Sequence, residues 1–213
     1  MRYNPSIFDV SSLDEAKKVI LTEEDGLTSD DRWRLELPFV RKLLKQLQLT
    51  DGSYVIDHGC GVGRVSRELI DLGCNVLGVD ISKPMLLLAG EYVNSSHFAS
   101  IHPSVLYSNR TPRFDAVTSV WVLQHCLRPD LDIEYLYDLM KPGARMLIVN
   151  NLNRAVPVLP DQPLPGQVNA WGNDGLDIRS MMREQFSIVA EGEIPEALGH
   201  TLHELTFWGV YQK

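Results

Sequence analysis

The chain has 213 residues, 44% hydrophobic and 23% charged, which suits one domain of ordinary size and excludes a disordered chain. Its 28 Asp and Glu outnumber 20 Lys and Arg, for a net charge of −8, which disfavours a general binder of DNA or RNA backbone. No apolar run approaches the roughly 20 residues that span a bilayer, so no membrane partner is expected. Met1 to Val10 lacks the basic patch and apolar block of a secretory signal. Cys60, Cys74 and Cys126 are odd in number and lack the CxxC spacing of a zinc site, which fits a reducing, cytoplasmic location.

In chain order, Ser11, Ser12 and Asp14 cap a helix through Asp14–Leu21. Leu37, Val40, Leu44 and Leu47 recur at helical spacing and predict a second helix from about Trp33 to Gln48. Tyr54-Val55-Ile56 is a short buried strand that runs into a glycine-rich turn, Asp57 to Gly63, with a helix following through Leu72. Asn75 to Val79 is the next strand, with Asp80 at its end, and Ser82 caps a helix that starts at Pro84. A strand of unfixed register lies within Ser96–Tyr107, and Phe114 to Val120 is another. A helix over Leu131–Met140 closes at Lys141-Pro142-Gly143, and Ala144 to Val149 is a fifth strand. Asn150 to Gly175, with Pro157, Pro160, Pro163, Pro165 and Trp171, is expected to be a long functional loop. A helix near Asp177–Glu184 and strands near Phe186–Ala190 and Glu204–Gln212 complete the chain; the two strands are placed to pair antiparallel at a sheet edge.

A strand, a glycine turn and a helix make a nucleotide-type site, since glycines let the backbone approach a ligand and the helix start offers free N–H groups. Asp80, about twenty positions beyond the first glycine, is placed to accept from both hydroxyls of a ribose. A dinucleotide fingerprint needs a third glycine where this chain has Arg64 or Ser66, which leaves a nicotinamide-dependent reductase as a minor reading.

Four stretches then fall in order: Val55-Ile56-Asp57-His58-Gly59-Cys60-Gly61-Val62-Gly63, Leu77-Gly78-Val79-Asp80-Ile81-Ser82, Phe114-Asp115-Ala116-Val117-Thr118-Ser119, and Leu139-Met140-Lys141-Pro142-Gly143-Ala144-Arg145-Met146-Leu147-Ile148. Together, over about Ser53 to Val149, they resemble the class I S-adenosylmethionine-dependent methyltransferase family. The resemblance implies an α/β, Rossmann-like, doubly wound fold: a seven-stranded sheet, mostly parallel with an antiparallel C-terminal strand, and helices on both faces. It implies one methyltransferase domain over 1–213, with 1–50 as a helical cover, 53–149 as the cofactor half and 150–213 as the substrate-side loop and closing strand pair.

The same resemblance implies S-adenosyl-L-methionine as cofactor. By position, Asp57 orients the first loop and the methionine ammonium, Gly59, Cys60, Gly61 and Gly63 form the cradle of the methionyl part, and Asp80 holds the ribose. Ile81 and Met85 flank the adenine, and Ser119 and Val120 sit beside the sulfonium. Two departures stand out. Phe98 to Pro103 lacks the carboxylate often found near the adenine amino group, leaving Ser100, His102 or backbone groups for that edge. His58 fills a slot usually apolar or aromatic. No DPPY- or NPPY-type tetrapeptide follows the fourth strand, so the usual signature of nucleic-acid amino-methylating relatives is missing.

Methyl transfer from a sulfonium is an in-line displacement, helped by a base where the acceptor must lose a proton. His125 is the candidate base, against a plain packing role beneath the next helix. Trp121 either lines an acceptor pocket or joins the core, Trp171 is a lid candidate, and Trp33 of the helical cover is a further substrate-side candidate, against packing of its helix on the sheet; Tyr3 adds to an aromatic setting. Arg32 and Arg34 are expected in solvent. The histidines lack metal-site spacing, and Asp130 and Asp132 suit an acidic first helical turn, so no metal is expected. The leading reading is methyl transfer to an O or N atom of a small aromatic or amphipathic molecule. A protein methyltransferase and a non-catalytic S-adenosylmethionine-binding scaffold are the alternatives, and the oligomeric state is not readable.

Overall fold

The computed structural model describes residues 2–23, 26–108, 111, 113–159, 170–198 and 203–213. The chain enters through a two-residue strand, β1 (Arg2–Tyr3), and a 3-10 turn over Pro5–Phe8. Ser12 Oγ accepts the Glu15 N–H at the head of α1 (Leu13–Ile20), as its position before an acidic first turn leads one to expect. Helix α2 (Ser29–Leu44) starts four residues before the expected Trp33, because Thr28 Oγ1 accepts the Asp31 N–H and Asp30 and Asp31 complement the helix dipole.

Strand β2 (Tyr54–His58) leads to α3 (Arg64–Asp71), β3 (Asn75–Val79) to α4 (Lys83–Val93), and β4 (Phe98–Ile101) to a single turn, α5 (Pro103–Leu106). Then come β5 (Phe114–Val120), α6 (Pro129–Leu139) and β6 (Met140–Asn151). The expected turn at Lys141-Pro142-Gly143 is absorbed into β6 as an irregularity, where the register against β5 shifts between Phe114 and Ala116. Asn150 to Gly175 is not the long loop expected. Residues 160–169 lie outside the described residues, but the flanks are strands, β7 (Asn153–Leu159) and β8 (Ala170–Asp177), paired antiparallel. Trp171 stands in β8 opposite Pro157. Helix α7 (Ile178–Gln185), β9 (Ser187–Gly192) and β10 (Thr206–Gln212) finish the chain.

The main sheet has the order β4-β3-β2-β5-β6-β10-β9, parallel from β4 to β6 and antiparallel at β10 and β9. Alternate residues feed two cores. Ile56, Val117 and Ile148 face one cluster with Leu136 and Met182 of α6 and α7, while Val55, Ala116 and Leu147 face the other with Val40 of α2 and Leu69 of α3. Both faces are therefore covered, and the carboxyl ends of the parallel strands open toward the N-terminal segment. That segment is anchored separately: β1 pairs with β7, joining β8 in a three-stranded sheet, and Val10 and Ala16 pack on Val62 and Met85.

The antiparallel edge is held by charge. Glu191 of β9, with a side chain 7% exposed, accepts from Arg179 (3.0 Å) and Arg183 of α7 and from the buried Tyr211 hydroxyl. Burial alone pushes its carboxyl up, but these donors outweigh it and hold it at about 2, below the ordinary 4.5. The stabilisation is complete above pH 4.5 and is lost as pH falls toward 2. Glu191→Gln is expected to cost about 1.5–3 kcal/mol at pH 7, with the gap to the unaltered protein narrowing at pH 3 in urea unfolding.

Candidate active site

The glycine turn after β2 can close only without side chains. Gly59, Gly61 and Gly63 all have positive φ (68°, 50° and 86°). A Cβ on Gly59 would lie 2.2 Å from a methyl of Val122, and one on Gly61 would lie 2.5 Å from the tip of Ile20. Asp80, at the end of β3, fixes the turn: Oδ2 accepts the Gly61 N–H (2.9 Å) and Oδ1 the Ser82 N–H (2.9 Å). Burial raises the Asp80 carboxyl above its usual range, and these two amides pull it back. Asp57 lies deeper, its carboxylate accepting from Ser66 (2.6 Å) and Thr118 (3.0 Å); burial pushes it up to about 6 against those bonds.

One cavity of about 1310 Å³ runs from this turn across the carboxyl ends of the strands. Gly59, Gly61, Asp80, Ile81 and Met85 line one end, with His102 beside them. Ser100 lies behind the wall and donates to the Leu86 carbonyl (3.2 Å), so of the residues considered for the adenine edge His102 is the one whose side chain reaches the cavity. Val120, Trp121 and His125 line the other end, with Tyr3 and Phe8 of the N-terminal segment. Asp57, Cys60, Gly63 and Ser119 sit behind the wall; Ser119 Oγ is 3.3 Å from Nδ1 of His58, which does line it. Trp33 is not part of the wall: it packs on the α2–α3 core with the Arg64 guanidinium 5.7 Å from its ring.

Trp121 holds a left-handed backbone (φ 62°), unusual for a bulky residue, with its N–H bonded to the Val149 carbonyl (2.7 Å). His125 Nδ1 lies 2.8 Å from the Ala155 carbonyl of β7, which can only accept, so Nδ1 carries the proton and Nε2 the lone pair. The Gln124 amide nitrogen is 3.2 Å from that Nε2, and its amide is oriented by the Asn151 N–H on Oε1 (2.9 Å). Burial pushes His125 below its ordinary value, outweighing the Ala155 bond, so the ring is neutral at pH 7. Burial pushes the nearby Tyr3 hydroxyl up to about 12 and the Cys126 thiol well above its usual value, so neither is a base at neutral pH.

Arg32 departs from the expectation of a solvated side chain. It is 7% exposed, lines the cavity and donates to the Thr22 carbonyl (2.6 Å); Arg34 is exposed and pairs with Asp31 as expected. The sequence signal for Arg32 is its place one turn before Glu36 on the α2 face that carries Val40 into the core. Among the described residues, no group of three or more His, Cys, Asp or Glu is arranged to hold a metal ion.

A family model described as a methyltransferase domain matches residues 56–148. Over these residues the chain is similar to methyltransferase domains. The chain is 29% identical over 111 residues to a protein of Glaesserella parasuis serovar 5 (strain SH0165) named ubiquinone biosynthesis O-methyltransferase, covering 48% of this chain and 47% of that protein. It thus spans about half the length of the curated relatives it matches. A solved S-adenosylmethionine-dependent methyltransferase from Mesorhizobium loti superposes with a TM-score of 0.60 at 17% identity, over 84% of this chain and 98% of that one. A structure titled the [4+2]-cyclase SpnF superposes with 0.63 at 18%, over 90% and 85%. Both show the fold.

The glycine cradle is sterically closed to any residue but glycine at position 59, where the backbone-near atoms of Val122 cannot withdraw. Gly59→Ala is expected to destabilise the fold by roughly 1–3 kcal/mol and to abolish cofactor binding. Thermal unfolding with and without S-adenosylhomocysteine checks both.

Proposed function

We propose that this protein is an S-adenosylmethionine-dependent methyltransferase that moves a methyl group to an O or N atom of a small aromatic or amphipathic molecule by in-line displacement. The observation that carries the reading is the continuity of one cavity from the glycine turn and Asp80 to His125. Bound S-adenosylmethionine supplies an electrophilic methyl on a sulfonium. Gly59 and Gly61 admit the methionyl part, Asp80 holds the ribose, and Ile81, Met85 and His102 border the adenine. Arg32 is a buried cation near the glycine turn and serves the methionine carboxylate. Asp57 acts through Ser66 and Thr118 by fixing the ends of β2, β5 and α3.

At the other end, Tyr3, Phe8, Val120 and Trp121 offer an apolar, aromatic wall that excludes water and aligns a ring. Alignment is the larger part of the acceleration, up to roughly 7–11 kcal/mol in model systems. Neutral His125 takes the acceptor proton at Nε2, displacing the Gln124 amide, while Ala155 keeps Nδ1 protonated. The relatives named O-methyltransferases support a small acceptor. Methyl transfer from labelled S-adenosylmethionine to a panel of phenols and amines tests the reading; turnover confined to peptides would overturn it.

Asp80→Ala is expected to weaken S-adenosylhomocysteine binding by roughly 1.5–3 kcal/mol, ten- to about a hundredfold, in calorimetry. His125→Ala should slow turnover about 100- to 10,000-fold and leave cofactor affinity alone. Because His125 sits below its ordinary value, the unaltered enzyme should keep its rate down through pH 6.5 and lose it only under more acidic conditions, as a pH profile of kcat would record.

A further inference from the structure

Two carboxylates in the first turn of α6 face opposite ways. Asp130 turns outward and takes both prongs of Arg128, at 2.9 and 2.6 Å. Asp132 lines the cavity at its acceptor end, and no Lys or Arg pairs with it among the described residues. Two arginines of this region are engaged elsewhere: Arg128 with Asp130, and Arg154 with Asp174 and the Leu127 carbonyl. The groups that feel its charge are Tyr3, Tyr107, Cys126 and His58, none of them a fixed cation.

The Tyr107 hydroxyl and Cys126 thiol interact with Asp132 but bring no positive charge. A carboxylate without a cation on a partly desolvated wall is costly, and a bound cation lowers that cost. Tyr3 and Phe8 on the same cavity wall add aromatic surface suited to an ammonium. The net charge of −8 draws cations toward the protein as a whole. We propose that Asp132 anchors a positively charged group of the acceptor, which is therefore a small amine. Its ammonium rests at the first turn of α6 while its reacting atom faces His125. This inference rests on the small-molecule reading above and narrows it.

The test uses the full chain saturated with S-adenosylhomocysteine and three probes that share one dihydroxyphenyl ring: dopamine, 4-methylcatechol and 3,4-dihydroxyphenylacetate. They carry a cationic, a neutral and an anionic side. Calorimetry should show dopamine binding at least tenfold tighter than the other two. Asp132→Asn should erase that preference and Asp130→Asn should keep it, with S-adenosylhomocysteine affinity the same in all three proteins. No preference for dopamine, a preference that survives Asp132→Asn, or no binding of any probe overturns the inference while leaving the cofactor site standing. Absence of S-adenosylhomocysteine binding by the unaltered protein overturns the methyltransferase reading and this inference together.

Discussion

Two backbone amides converge on the carboxylate of Asp80, and the geometry of the whole site hangs from them. The Gly61 N–H ties the glycine turn to the end of β3, and the Ser82 N–H sets the entry into α4. Ser82 then passes the constraint on, accepting the Met85 N–H (3.3 Å) while donating to the Phe8 carbonyl (2.6 Å). Phe8 lies 6.1 Å, ring to ring, from His125. The two ends of the cavity are thus joined through the N-terminal segment, by hydrogen bonds as far as Phe8 and by a ring contact from Phe8 to His125. A second tie runs through Arg64, 4% exposed, which donates to Ser29 (3.0 Å) and Asp30 (2.9 Å) and so seats the helical cover on α3.

The glycine turn and its tie to Asp80 are legible in the sequence because their requirements are local. A turn that needs positive φ shows as glycine, and the carboxylate that holds it shows as an acid at a strand end. The acceptor side is not, because its requirements are tertiary. Pro157 weighs against a strand, since it cannot donate to a ladder. Yet it sits in β7 with its carbonyl accepting the Asn4 N–H (2.9 Å), and the same strand supplies the Ala155 carbonyl that orients His125. No pattern around His125 announces a partner thirty residues on. Arg32 looks like a surface charge in the sequence because its acceptor, the Thr22 carbonyl ten residues back, reaches it only in the folded chain. Asp132 was read correctly as part of an acidic helix start, but which of two nearby acids faces inward is settled by packing.

The fold alone decides less than the residues on it. A methyltransferase from Mesorhizobium loti and a protein titled a [4+2]-cyclase both superpose on this chain at similar TM-scores. This chain fills that frame with histidine at 58 against Ser119, tryptophan at 121 in a left-handed backbone, and a neutral His125 held by a strand carbonyl.

The pairing of β1 with β7 places Tyr3 opposite Val158. This wall of the cavity is therefore built from segments about 150 residues apart in the chain. The glycine turn, Asp80 and the parallel strands all lie between them. Contacts of such long sequence separation form late, after most of the loop-closure entropy has been met elsewhere. The cavity is consequently closed late in folding, and a chain interrupted before β7 has the glycine turn and Asp80 without the wall that β1 and β7 complete.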